Sequence, residues 1–566
     1  MVRAMSSHDD LRALADGYWQ GQMQASPFSA TFLGDHRYDD QVDDLSAEAE
    51  AARRHELAQL RERVDALDRE PLEAADRVTR ALLLGDLTDG IKSIDLRLTE
   101  LRSDQMEGVH ADLMIVAGQL NAPEPEHARM AVERLGKLGT MFDQAATRFR
   151  EGLASGRSPA RINIERSLNQ IDGYLASPID QDPFAALSGP VDWDGEAAWR
   201  DELKEAVRDS VRPAFARYRS VLADELLPAA RPDERCGLTW IDDGAEIYGA
   251  VVGFHTGVDL TAEEIHAIGM EEVTEKLPAE YAEVGGRLFG LSDEAEIFNR
   301  LLDDPTLRYA HGDEILADAR RCLDAATQAM PDWFGLRPQA PCHLTPVPEY
   351  LAADAPGAYY TPPAPDGSRP GEYHVNLHEP SQKSRFETAS IAFHEAIPGH
   401  HLQLAIATER TDLPAFQRLS FGQTAFVEGW ALYTERLAEE MGLYTSDLDR
   451  IGMLASDSFR ACRLVVDTGL HAMGWSRERA IDFMDEHAPL SREEITVEID
   501  RYIGMPGQAL AYKIGQREIL RLRAAARQRL GEHFAISGFH DVVLGSGTVS
   551  LGVLGDLVEA WPGVAA

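Results

Sequence analysis

The segment HEAIPGHH at residues 394–401 constrains the fold more than any other part of this 566-residue chain. Its surroundings are helical in character, but its proline removes an amide donor and clashes with the carbonyl four residues earlier in a regular helix. The glycine that follows tolerates the resulting bend. In a straight helix the last histidine would lie about 10 Å along the axis from His394. We therefore predict a kinked or bulged helix that returns either His400 or His401 to His394.

The same segment belongs to a concentration of histidines. The chain contains 18 histidines, and the window 374–401 holds five of them: His374, His378, His394, His400 and His401. Neutral imidazoles beside a carboxylate are the ligands that zinc binds in proteins. We predict one zinc ion per chain, held by His394 and by His400 or His401. Glu395 directly follows the first ligand and is predicted to be the general base.

A third metal ligand is expected from the segment TAFVEGWALYTERLAEE at residues 424–440. Glu428 lies among apolar residues there, and a buried carboxylate is costly unless it is paired or bound to a metal. Gly429 leaves room for another helix to approach closely. Glu435, seven residues later on the same helical face, is the alternative ligand.

The sequence predicts a mainly helical chain with one small sheet. Residues 8 to about 335 have apolar positions at helical spacing, with a capping box at Thr261 and Glu264 and a candidate boundary at 178–193. Residues 336–380 are rich in proline, and CHLTPV, GAYY and EYHVNL are typical of short strands. We predict two regions, 1–335 and 336–566. The second divides into the sheet at 336–380, metal-site helices at 384–440 and C-terminal helices at 441–566.

Charge and cysteine content limit the classes of partner. The chain has 55 basic and 95 acidic residues, for a net charge of −40. Such a surface repels nucleic acid and anionic lipid, so neither is an expected partner. The four cysteines form no CxxC pair, and no apolar run reaches the roughly 20 residues that span a bilayer. We predict a cytoplasmic protein, and its oligomeric state is not fixed by the sequence.

Further residues are candidates for binding substrate. Arg463, Arg501 and Lys513 are possible partners for a substrate carboxylate, since cations fix free termini. The strand EYHVNL, which includes His374 and Asn376, could bind an extended peptide along its edge. A capping box at Ser491 and Glu494 predicts a helix whose Tyr502 belongs to the core. Pro506-Gly507 ends that helix, and Gln508, Tyr512 and Gly515 share a face of the next one.

Five motifs together resemble one known family. FLGDHRYD, FHEAIPGHHLQ, FVEGWALY, RLVVDTGLH and RYIGMPGQALAYKIG resemble the domain of unknown function 885 family over most of the chain. More loosely, the chain is similar to helical zinc peptidases such as oligopeptidases, carboxypeptidase Taq and angiotensin-converting enzyme. Those enzymes use a shorter HExxH motif, and its Gly-His ending favours His400 over His401 here.

The resemblance implies a large helical zincin-like fold with a deep cleft, one wall of which is formed by residues 1–335. By its order along the chain, Tyr512 resembles the tyrosine that helical zinc peptidases direct at the oxyanion, and His471 is a second candidate donor. The predicted function is zinc-dependent hydrolysis of short peptides. One alternative is a zinc amidohydrolase acting on a non-peptide amide or aminoacyl conjugate. The other is a helical binding protein with a structural metal.

Overall fold

The computed structural model describes residues 6–349, 352, 355–365, 367, 369–420 and 422–564. Within them the chain is mainly helical, with a single three-stranded sheet that precedes the HEAIPGHH segment. Both features confirm the predicted fold class at this level. None of the described helices is both long and apolar enough to cross a membrane.

Fifteen helices precede the sheet in the described residues. They are α1 (Ser7–Ala25), α2 (Pro27–Phe32), α3 (Ala47–Asp65), α4 (Ala74–Asp95), α5 (Val109–Ala117), α6 (Pro125–Ala154), α7 (Arg161–Ala176), α8 (Glu196–Ala206), α9 (Arg212–Val221), α10 (Leu227–Ala229), α11 (Gly244–Thr256), α12 (Ala262–Glu271), α13 (Leu277–Leu288), α14 (Glu294–Asp303) and α15 (Gly312–Trp333). π-Helical turns at Val207–Val211, Leu222–Leu226 and Glu272–Lys276 join α8 to α9, α9 to α10 and α12 to α13. The predicted capping box of Thr261 and Glu264 begins α12, where each side chain bonds the backbone of the other residue.

The three strands match the three predicted segments. They are β1 (Cys342–Pro346), β2 (Ala358–Thr361) and β3 (Gly371–Val375), in the order β1-β3-β2. β3 is parallel to β1 and antiparallel to β2. Tyr373 and Val375 are buried on one face of β3, whereas His374 lies on the other. Because β3 is the central strand, both of its edges are already paired, and the prediction that EYHVNL offers a free edge to a peptide is wrong.

In the part of the chain that the structure describes, ten helices follow the sheet. They are α16 (Thr388–Glu395), α17 (His400–Glu409), α18 (Ala415–Leu419), α19 (Thr424–Glu440), α20 (Asp447–His471), α21 (Arg477–His487), α22 (Arg492–Gly504), α23 (Ala511–Leu530), α24 (Ile536–Leu544) and α25 (Leu551–Ala560). Short 3₁₀ turns lie at His36–Tyr38, Leu98–Leu101, Ile179–Gln181, Asp233–Arg235, Leu238–Trp240, Pro305–Leu307, Pro380–Gln382, Gln508–Leu510 and Gly531–His533. The predicted capping box at Ser491 and Glu494 begins α22.

Two of the three hydrophobic cores in the described residues combine distant parts of the chain. One core contains residues between 28 and 226 only, and two others combine residues from before and after the sheet. Phe184 and Leu187 are buried in the first core together with the helices on either side of them. Residues 178–193 are therefore not a domain boundary, because the segment packs into the core that it was expected to interrupt.

Glycines allow two helices of the second half to meet at backbone distance. A Cβ atom added to Gly429 of α19 would lie 2.4 Å from the Cα of Gly515 of α23. One added to Gly515 would lie 1.9 Å from the carbonyl oxygen of Ala425. The close approach predicted from Gly429 is confirmed, and it brings the first turn of α23 next to the metal-site helices.

Candidate metal centre

The predicted interruption of the helix at Pro398-Gly399 is present. α16 ends at Glu395, and α17 begins at His400. A Cβ atom at Gly399 would lie 1.8 Å from the carbonyl oxygen of His394, so only glycine fits this close turn. The indole N–H of Trp430, on α19, donates a hydrogen bond to the carbonyl of Pro398 at 3.0 Å. The turn is therefore attached to the helix that carries Glu428.

His394, His400 and Glu428 converge in the resulting corner. Their ligand-capable atoms all lie within 4.8 Å of one another. The Nε2 atoms of His394 and His400 are 3.6 Å and 3.4 Å from Oε2 of Glu428. Those separations exceed ordinary hydrogen-bond lengths, and Oε2 of Glu428 is buried without a hydrogen-bond partner. The two distances agree with the separation of about 3.4 Å between tetrahedral ligands whose bonds to zinc are roughly 2.0–2.1 Å long. The donor set and its spacing fit zinc.

Glu435 lies on the opposite side of His394. Its Oε1 is 2.8 Å from Nδ1 of His394, and the carboxylate is buried. A carboxylate on the far nitrogen of a histidine fixes the ring and raises its basicity toward a metal. Glu435 therefore lies outside the ligand cluster, in contrast to the alternative assignment that made it a ligand. It instead holds the ring of His394, a member of that cluster. Burial alone lowers the pKa of His394, yet Glu428 and Glu435 outweigh burial and raise it to about 9.

His401 points toward the sheet. Its Nδ1 is 2.9 Å from the hydroxyl oxygen of Tyr360 in β2. A Cβ atom on Gly371 would approach this same Nδ1 to 2.5 Å, so glycine at the start of β3 provides the space for the ring. Of the two adjacent histidines, the structure places His400 in the ligand cluster and His401 in the contact between α17 and the sheet.

Glu395 and Tyr512 lie beside the cluster. Glu395 is half-buried, and burial raises its pKa even though His394 and His400 lower it. Tyr512, on α23, stacks on His394 with ring centroids 6.4 Å apart. Burial also raises the pKa of Tyr512, which is hydrogen-bonded with Gln508. A carboxylate with a raised pKa and a protonated phenol are suited to proton transfer and to hydrogen-bond donation, respectively.

The predicted arginines lie near Tyr512. The guanidinium carbon of Arg463 is 4.5 Å from the centre of the Tyr512 ring. Arg501 donates a hydrogen bond to Oε1 of Gln508 at 2.8 Å. Tyr502 is fully buried, as predicted for a core residue, and its hydroxyl donates to Glu498.

Two predicted site residues have structural tasks instead. His471 is buried, and its Nδ1 accepts the Leu238 N–H at 3.2 Å while its Nε2 donates to the Tyr502 carbonyl at 3.0 Å. Both ring nitrogens are occupied, so the expected catalytic donor is corrected to a structural residue. Lys513 is buried with Nζ 2.5 Å from Asp457 and 3.3 Å from Glu272. Two carboxylates already neutralise this lysine, and the prediction that it binds substrate is corrected as well.

The two candidates from β3 and its loop are also separated from the cluster. The Asn376 amide donates to the carbonyls of Ala352 and Ala355 and accepts the His378 N–H. Asn376 therefore organises the loop before β2 and is not free to bind a peptide. His374 stacks on Tyr359, on the face of β3 opposite Tyr373. The charge of Glu395 raises the pKa of Tyr373, which lies on the other face. His374 thus faces away from Glu395.

A second group in the described residues has metal-ligand spacing. His36, Asp39 and His127 bring their ligand-capable atoms within 4.8 Å of one another. Oδ2 of Asp39 is already paired with His36, and its Oδ1 accepts bonds from Thr31 and Arg134. The carboxylate of this group is saturated by protein donors, in contrast to the unpartnered oxygen of Glu428.

Sequence reasoning missed two participants. Arg460 lies 5.9 Å from the Tyr512 ring, and Glu498 pairs with both Arg463 and Arg501. The spacing of Arg460 and Arg463, three residues apart on α20, places both on one helical face and was the available signal. Glu498 offered none, because α22 also contains Glu493 and Glu494 and its sequence does not distinguish the three.

Comparison with known proteins gives the family. The model of the family described as bacterial protein of unknown function (DUF885) matches residues 27–558. The chain belongs to this family. No curated protein matches this DUF885 chain.

Two solved structures resemble the DUF885 chain along nearly its whole length. The crystal structure of the "putative lipoprotein" from Colwellia psychrerythraea is 26% identical with a TM-score of 0.91, covering 99% of this chain and all of that one. A "putative lipoprotein of unknown function" from Shewanella oneidensis is 18% identical with a TM-score of 0.76, covering 98% of this chain and all of that one. The second similarity concerns the fold alone.

Proposed function

We propose that this DUF885 protein is a zinc-dependent hydrolase that cleaves amide bonds of short peptides. The observation that carries the proposal is the spacing of His394, His400 and Glu428, whose facing atoms are separated by 3.4 Å and 3.6 Å. Structural zinc sites usually have four protein ligands, often cysteines. No described cysteine belongs to this group, and three ligands leave a position for a reactant.

A zinc ion bound there would supply Lewis acidity for attack on a carbonyl group. In this proposal Glu395 removes a proton from the attacking water as its oxygen bonds to the amide carbon. Glu395 then passes that proton to the leaving nitrogen as the carbon–nitrogen bond breaks. The Tyr512 hydroxyl donates a hydrogen bond to the oxygen that becomes negatively charged. Gln508 and His394, which contact Tyr512, hold its ring in place.

The finer description of the fold belongs to the same proposal. It comprises a zincin-like arrangement with a deep cleft, related to the helical zinc peptidases, and a wall formed by residues 1–335. Short peptides or small amides are the proposed substrates, and neither nucleic acid nor membrane is a proposed partner. The proposed location is the cytoplasm. The description as lipoprotein belongs to the two similar proteins.

The test combines metal analysis with one conservative substitution. The purified protein should contain about one zinc per chain, and Glu395→Gln should keep this zinc because Glu395 is not among the ligands. Hydrolysis of a panel of short peptides should fall roughly 10²–10⁴-fold in this variant, since the amide cannot accept the proton.

The matched control is Glu493→Gln, which makes the same change at an exposed position of α22 and should leave turnover intact. Hydrolysis of N-acyl amides without hydrolysis of peptides would favour the amidohydrolase alternative. Zinc retention with unaltered activity in Glu395→Gln would contradict the mechanism.

A further inference from the structure

Three arginines lie near Tyr512, whose ring also stacks on that of His394. Arg460 and Arg463 are 5.9 Å and 4.5 Å from the centre of the Tyr512 ring. Arg501 reaches the same place through Gln508, whose side chain bonds both Arg501 and Tyr512. Arg463 also stacks on Phe459 at 4.0 Å, so its guanidinium is fixed between two aromatic rings.

The positive charge of this group exceeds its paired negative charge. Arg463 and Arg501 share one carboxylate, that of Glu498, and Arg460 forms no ion pair within the described part of the chain. Glu387 and Glu395 also act electrostatically on Arg460, but neither forms an ion pair with it in the described residues. Among the described residues, the three guanidinium groups therefore have a single carboxylate in ion-pair contact, that of Glu498.

Some donors of these arginines are buried without a partner. Arg463 is 4% exposed; its Nε and Nη2 bond Tyr502 and Glu498, while Nη1 has no hydrogen-bond partner. Arg460 donates from Nη1 to Ser456, and its buried Nε is also unpartnered. A buried charged donor left unsatisfied costs more than an ordinary hydrogen bond contributes. A ligand anion would satisfy both the donors and the charge.

We propose that Arg460, Arg463 and Arg501 form a subsite for the free C-terminal carboxylate of the peptide. This inference rests on the proposed hydrolase function and specifies its substrate class. The Tyr512 ring lies 6.4 Å from the His394 ring and 4.5 Å from the Arg463 guanidinium carbon, so the subsite lies within about three extended residues of the candidate metal centre at roughly 3.3–3.6 Å each. The enzyme then removes a short fragment from the C-terminal end.

A measurement of ligand binding tests this subsite independently of catalysis. Calorimetry on the full-length protein as purified compares N-acetyl-Ala-Ala with its C-terminal amide, two probes that differ only in the charged group. The acid should bind roughly 100-fold more tightly, because the amide leaves the buried guanidinium groups unpaired. A third probe, N-acetyl-Ala-Glu amide, carries a carboxylate only on its side chain and should bind as weakly as the neutral amide.

Arg460→Gln is the informative variant, since Arg460 is only half-buried and forms no ion pair with Glu498. It should reduce the preference for the acid about 10-fold. Arg479→Gln is the matched control: Arg479 stacks on Trp475 at 4.0 Å, outside the subsite, and the variant should keep the full preference.

Equal binding of acid and amide would overturn the proposal, and so would a preference unchanged in Arg460→Gln. Binding of the glutamate probe as tight as that of N-acetyl-Ala-Ala would assign the subsite to side-chain carboxylates instead. If the preference for the acid holds but no peptide is hydrolysed, the subsite stands and the proposed hydrolase function fails. Hydrolysis without any preference for the acid would leave the hydrolase function and remove the subsite.

Discussion

At the scale of single residues, His394 has a carboxylate beside each of its ring nitrogens. Glu435 lies 2.8 Å from Nδ1, and Glu428 lies 3.6 Å from Nε2. The shorter distance is a hydrogen bond, and the longer one matches the separation expected between two ligands of one zinc ion. Two glutamates on one helical face, seven residues apart, thus have different tasks, which the i, i+7 pattern alone could not distinguish.

The adjacent histidines should respond differently to substitution. His400→Ala removes one of the three ligand side chains and should lose most of the zinc, as measured by metal analysis after dialysis. His401→Ala removes the contact with Tyr360 and should keep about one zinc per chain. Retention of zinc in both variants, or its loss in His401→Ala alone, would contradict the arrangement of α16 and α17.

His471 should make stability depend on pH. Burial lowers its pKa to about 4, below the value of about 6.5 in an unfolded chain, so the unfolded state binds more protons between these values. This contribution is present above pH 6.5 and is lost as the pH falls toward 4, by about 2 kcal/mol at pH 5. Thermal unfolding at pH 8 and pH 5 should show a smaller loss in His471→Gln, which does not titrate. An equal loss in both proteins would refute this account.

The residue types of the candidate metal site were predictable because zinc chemistry restricts them. His394, Glu395 and Glu428 follow from ligand type, adjacency and an isolated charge in an apolar helix. The errors at His471 and Lys513 arise from partners far away in sequence: Leu238 occupies the histidine, and Glu272 neutralises the lysine. Local patterns carry no information about such partners.

At the scale of elements, contact between α19 and α23 aligns the site. Gly515→Ala would place a methyl group 1.9 Å from the Ala425 carbonyl oxygen, so the two helices must separate. We expect a loss of about 1–3 kcal/mol in the free energy of unfolding. Displacement of Tyr512, one turn earlier, should also lower peptide turnover.

Gly173→Ala in α7 is the control for this helix contact. A methyl group there meets no atom within 4 Å, and alanine favours a helix over glycine by up to about 1 kcal/mol. Its melting temperature should be unchanged or raised. If Gly515→Ala melted at the wild-type temperature, the close contact between α19 and α23 would be refuted.

Individual helices and strands were easier to predict than the elements with which they pair or pack. The strands and two capping boxes follow from residues within a few positions of one another. Strand order does not, because β3 pairs with both β1 and β2 through contacts that its own alternation leaves unspecified. The proline-glycine interruption is intermediate: its existence follows from steric rules, but the choice of His400 over His401 depends on the sheet that receives His401.

At the scale of the whole molecule, helices from before the sheet pack directly on α20. The Tyr281 hydroxyl of α13 is 3.0 Å from Ser458 Oγ. Gly269 of α12 approaches so closely that an added Cβ would lie 2.7 Å from the side chain of Val465. Composition predicted a helical protein, but it did not reveal that helices on both sides of the sheet share two cores.

This sharing predicts that residues 336–566 do not fold alone. Without α12, α13 and the turn between them, buried Lys513 loses Glu272, one of its two carboxylate partners, and apolar surface of α20 becomes exposed to water. The isolated segment should show no cooperative thermal transition by circular dichroism and should bind zinc at least 10-fold more weakly than the full chain, which serves as the control. Coexpression with residues 1–335 should restore both properties, because the same side chains then meet across the cores. A cooperative transition and full zinc affinity in the segment alone would show that the second region folds independently.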